Sequence, residues 1–117
     1  MTIRRTYIAG MMLKAYRQIC KISMDEFAKN SHISKSSITK LEGIASNSPD
    51  SIEQFSYCPI SLNLCEKIAS GMDMLLYEFL EFLEQFEKER DEIIDVVIYL
   101  EISKFILKKQ QPMVSFK

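Results

Sequence analysis

Six hydrogen-bonding side chains crowd the seven residues from Ser34 to Lys40: Ser34, Lys35, Ser36, Ser37, Thr39 and Lys40. A lysine ammonium can donate to phosphate oxygens or to guanine O6 and N7. Serine and threonine hydroxyls donate or accept at phosphate and at several bases. No catalytic set accompanies them. His32 is the sole histidine, and no cysteine or carboxylate is placed in the sequence to make a triad or a metal site with it. Glu78, Glu81, Glu84 and Glu87 recur three apart, which reads as the wet face of a helix. Three glycines in the whole chain leave no Gly-rich phosphate loop. No enzymatic activity, metal or cofactor is expected. Any surface helix shows polar groups, so the elements around these six decide what they are for.

Ser23 is a candidate helix N-cap, with Glu26 three residues later at capping-box spacing. Phe27 and Ala28 follow on the inner face of a helix over 24–30. Ser31-His32-Ile33 is long enough only for a turn. Ser34 is a second N-cap, and a helix over 35–42 sets Ile38 and Leu41 inward, three apart. Gly43 is expected to stop it through left-handed backbone. Two helices joined by so short a turn must cross steeply, which favours the small Ala28 at the crossing. This is helix-turn-helix geometry, whose second helix suits the major groove of DNA.

Counted from Met24, Ala28, Ile38 and Leu41 fall at the fifth, fifteenth and eighteenth places, and His32 at the ninth. With these spacings the segment resembles the helix-turn-helix of lambda-repressor-like regulators, the XRE or Cro/CI type. The family has glycine at the ninth place. That place has positive φ, which histidine tolerates better than most residues. The resemblance covers about residues 8–80. It implies that Ser34, Lys35, Ser36, Ser37, Thr39 and Lys40 face base edges and phosphates. It implies that Arg17 and Glu42 tie the first helix to the end of the third. Met24 stands where the family often has a polar phosphate contact. Met cannot donate, but backbone N–H groups at that helix end can. Specificity then rests more on Lys35, Lys40 and DNA shape than on the short serines.

The charge distribution agrees. The net charge of −1 divides into +5 over residues 1–45 and −6 over 46–117, so the basic half carries the motif and the acidic half should point away from DNA. Arg4 and Arg5 sit in an N-terminal stretch, 1–6, that reads as a flexible arm. They would serve the minor groove or a phosphate, or stay solvated. No apolar run approaches the roughly 20 residues of a bilayer span, and Lys14 and Arg17 break up any export signal. Cys20, Cys58 and Cys65 are odd in number without CxxC spacing, which suits free thiols in a reducing cytoplasm.

Around the motif, the pattern predicts helices over 7–20 and 61–69, and a fifth helix capped by Asp73 that carries Leu76, Phe79, Leu80, Leu83 and Phe86. Residues 44–58 form an insertion where the family needs only a few residues, and read as a loop. Residues 87–92, EKERDE, are a charged hinge or a solvated helical stretch. Residues 93–107 are so apolar that a strand is conceivable. A helix is preferred because strong helix formers precede them and no turn residue lies between 87 and 111. The fold class is therefore all-α: a five-helix DNA-binding domain over 1–80 and a C-terminal helical dimerisation segment over 81–117. Leu83, Phe86, Ile94, Val97, Ile98 and Phe105 are expected to exceed what one chain can hide, and so to form a homodimer interface. The expected function is a cytoplasmic, sequence-specific regulator of transcription that binds double-stranded DNA as a homodimer. Repression is the commoner mode for this architecture. The alternative is a protein-interaction module, an antitoxin or inhibitor, on the same scaffold.

Overall fold

The computed structural model describes residues 3–45 and 60–110, with side chains for 5–43 and 60–109. Among these it is all-helical: α1 (Ile3–Cys20), α2 (Met24–Ser31), α3 (Lys35–Ala45), α4 (Leu62–Gly71), α5 (Leu76–Glu87) and α6 (Ile94–Gln110). The insertion's Ile52, Phe55 and Tyr57, with Cys58 and Pro59, lie outside the described residues, as do 111–117.

α1 is the hub. It packs against α3, α5 and α6, while α2 packs against α3 and α4. Its buried side chains Ile8, Ala9, Met12 and Leu13 are fully enclosed. The N-terminal stretch expected to be a flexible arm is helical from Ile3 onward. Two long-range contacts hold that end. Thr6 is buried, and its Oγ1 accepts the Ile60 N–H at 3.0 Å, fixing the chain where it enters α4. Arg5 Nε donates to Glu87 Oε1 at 3.2 Å, tying the start of α1 to the end of α5. Arg5 is thus a packing residue, and Glu87 is not part of a purely wet face.

Helix ends follow local chemistry, with two departures from expectation. Lys21, His32 and Asp73 take positive φ of 57°, 61° and 57° and close α1, α2 and α4. Asp73 therefore does not cap α5. Leu75 holds the N-cap position, and its N–H donates to Glu78 Oε1 at 2.8 Å. Glu78 starts the helix from its third residue, since the carboxylate satisfies an amide that would otherwise lack a partner. Gly43 does not end α3. The helix continues to Ala45, and no described glycine has positive φ.

α6 corrects the expected dimer interface. Leu83, Phe86, Ile94 and Ile98 are buried to within 2% in a single chain, joined by Ile102 and Ile106. Val97 and Phe105 are partly buried against the same core. The physical reason is that the chain turns at 88–93 and α6 folds back across α1, covering these groups itself. Phe82 reinforces the closure, stacking on Phe86 at 5.5 Å and meeting Phe105 edge-on at 6.0 Å. The boundary expected at residue 80 falls inside α5.

Two glycines give opposite predictions. A Cβ on Gly71 would meet Ser31 Cβ at 2.7 Å and the Phe27 ring at 2.9 Å, where α4 crosses α2. Gly71→Ala should destabilise the fold by about 1–3 kcal/mol through overpacking. A Cβ on Gly43 meets nothing within 4 Å. Gly43→Ala should stabilise by about 0.5–1 kcal/mol, as alanine does inside a helix. Chemical denaturation of both variants checks the pair, and a destabilised Gly43→Ala would contradict the continued α3.

Candidate nucleic-acid interface

α2 and α3 are joined by residues 32–34 alone. Ser23 Oγ accepts the Glu26 N–H at 3.0 Å and caps α2. His32 sits in left-handed backbone, and its N–H donates to the Ala28 carbonyl. Ser34 Oγ accepts the Ser37 N–H at 3.1 Å and caps α3. Each cap satisfies an N–H or C=O that a helix end leaves over. The crossing angle is fixed from below by Phe27, Ile33, Ile38 and Leu41, all buried.

These anchors divide α3 into two faces. Ile38, Leu41 and Glu42 point inward. Lys35, Ser36, Thr39 and Lys40 are exposed and share the opposite side. Ser34 is exposed but engaged as the cap. Ser37 is half-buried and pairs with Ser34 Oγ at 2.9 Å, so its hydroxyl serves the turn. Thr39 Oγ1 donates to its own helix at Lys35 O, 2.9 Å, and approaches Met24 Sδ at 3.5 Å. That contact sets the N-terminus of α2 beside the exposed face of α3. Met24 thus reaches the edge of the surface as a half-buried thioether.

Lys35 carries a feature that local sequence did not suggest. Its Nζ lies 3.3 Å from the Asp25 carboxylate, with both side chains well exposed. Such a pair contributes about 0–1 kcal/mol, so a phosphate or a guanine edge can displace it cheaply. Ten residues and a turn separate the two, a distance no helical periodicity encodes. Of the two N-terminal arginines, Arg5 is held by Glu87, away from any arm-like role, and the side chain of Arg4 lies outside the described residues.

The fixed point behind this surface is Arg17. Its Nε and Nη2 donate to the two carboxylate oxygens of Glu42 at 2.6 and 2.7 Å, and its Nη1 donates to the Ile22 carbonyl at 2.9 Å. Glu42 is 5% exposed. The hydrogen bonds to Glu42 raise the Arg17 pKa further above its already high value, so the guanidinium stays charged. One guanidinium joins α1, the loop before α2 and the inner face of α3.

Cys65 is fully buried, and burial pushes its thiol up, so it stays protonated and unreactive. Burial, then the neighbouring Cys20, push the Tyr16 phenol up to about 12. Among the described residues no group of three His, Cys, Asp or Glu could hold a metal ion, and no helix is long and apolar enough to cross a membrane. No family model matches the chain, nor does any curated protein or solved structure.

The clamp yields a double-mutant prediction. Arg17→Met alone deprives the buried Glu42 carboxylate of its guanidinium and should cost about 3–5 kcal/mol. Arg17→Met combined with Glu42→Leu should recover part of that loss, because no buried charge then remains. Denaturant unfolding of the two single variants and the double tests this. Additive losses would reject coupling between the two groups.

Proposed function

We propose that this protein is a sequence-specific, double-stranded-DNA-binding regulator of transcription, of the lambda-repressor-like kind, which acts as a homodimer and presents α3 to the major groove. One observation carries the reading. The exposed side of α3 is made of donors (Lys35, Ser36, Thr39 and Lys40), while its other side is locked to α1 and α2 through Ile38, Leu41 and Glu42. A rigid helix displaying short hydroxyls between two lysines suits a groove about 12 Å wide. The basic balance of residues 1–45 supplies the long-range attraction to phosphate.

In the complex, Lys40 and Lys35 approach guanine edges or flanking phosphates, Lys35 leaving Asp25 as it docks. Ser36 and Thr39 lie between them. Backbone N–H groups at the start of α2, next to Met24, meet the phosphate strand. Covering a promoter in this way would repress it.

Fluorescence anisotropy with a duplex that the protein selects tests the assignment. Lys35→Ala and Lys40→Ala should each weaken binding by about 1–3 kcal/mol. Asp25→Asn should strengthen it, because it removes both a competitor for Lys35 and a charge repelled by phosphate. Unchanged affinity in both lysine variants, with helical content intact, would reject the reading.

A further inference from the structure

Among the described residues, the outer face of α6 is apolar and exposed. Val96, Leu100 and Leu107 are 55%, 53% and 60% exposed, with Tyr99 beside them at 47%. Ile93, at 40%, continues the line into the preceding turn. Ile93, Val96, Leu100, Ser103 and Leu107 recur at three-four-three-four spacing. This is the period of a helix-helix seam, and it lies opposite the side on which Ile94, Ile98, Ile102 and Ile106 enter the core. A groove of about 580 Å³ between α1 and α6, lined by Met11, Ala15 and Tyr99 together with the polar Lys14, Gln18 and Asp95, opens beside the N-terminal half of the seam. Monomers seldom leave a continuous apolar surface of this kind uncovered.

We propose that this face docks on the same face of a second copy of the chain, with the two α6 helices antiparallel. Two features of the helix select that occupant and that direction. First, the seam complements itself. About a two-fold axis between Leu100 and Ser103, Val96 lies opposite Leu107 of the other copy, and Leu100 lies opposite its Ser103, a large group against a small one. Second, charge runs along the helix. Asp95 lies in its first turn, with Asp91 and the Arg90-paired Glu92 in the turn just before it, whereas Lys108, Lys109 and the Glu101-paired Lys104 lie in its second half. Antiparallel packing sets each basic end beside an acidic one, whereas parallel packing sets lysines against lysines. From Ile93 to Leu107 the seam is roughly 21 Å long. A heterologous partner would need neither the internal symmetry nor the matched ends.

The proposal names the dimer surface of the regulator proposed above, yet its test involves no DNA, so each can fail without the other. Light scattering at micromolar concentration should give twice 13.6 kDa for the intact chain. Leu100→Lys with Leu107→Lys should give a monomer of unchanged helical content, since neither residue is in the core. Val96→Cys combined with Leu107→Cys should cross-link two copies under mild oxidation, far faster than Val96→Cys alone or the unaltered chain. Three results would overturn the proposal: a monomeric intact chain, a dimer whose mass survives both lysines, or cross-linking by Val96→Cys alone as fast as by the pair. The cross-linking test does not depend on how the charged variant folds.

Discussion

Arg17 is the group on which the geometry of the surface depends. It reaches α3 through Glu42 and the loop before α2 through the Ile22 carbonyl. Ion pairs at low exposure are not reliable sources of stability, because desolvation offsets most of the Coulomb gain. What this one supplies is position. A planar fork accepted by both carboxylate oxygens tolerates little rotation, so α3 cannot slide or roll on α1 without breaking two short bonds. The apolar residues nearby resist separation of the helices but specify the register less tightly.

The same hub explains why the chain closes on itself at the other end. α1 receives α3 on one part of its surface and α5 and α6 on others, and its enclosed residues Ile8, Met12 and Leu13 belong to one continuous core. The Arg5–Glu87 pair and the Thr6–Ile60 hydrogen bond fasten its N-terminal half to segments far away in sequence. The donor face of α3 and the outer face of α6 therefore belong to two helices that are both seated on α1. A dimer formed through α6 would transmit its symmetry to α3 through α1.

What could be read from the sequence was mostly local. Ser23 and Ser34 announce helix starts because their hydroxyls have an amide within three residues to satisfy. His32 takes the left-handed backbone that the family resemblance implied for its place. Gly43 misled because glycine permits a helix stop without requiring one, and α3 runs on to Ala45. Asp73 misled for a related reason: it closes the helix before it, while Glu78 supplies the cap that α5 needs. The destination of α6 was not legible. A helix apolar on nearly every side carries no phase, so the sequence could not say that Ile94 and Ile98 would face α1 while Val96 and Leu100 faced out. The Lys35–Asp25 and Arg5–Glu87 pairs were hidden because each exists only after distant elements have packed.

The measurement that bears most directly on the central claim is selection from a pool of random DNA duplexes by the intact protein at moderate salt, followed by sequencing. If the donor face of α3 reads bases and two copies act together, the selected pool should converge on an inverted repeat. Its half-sites should lie about 34 Å apart, one turn of the duplex. A pool that remains random after repeated rounds would contradict the account, whether the protein retains no DNA or retains it without regard to sequence.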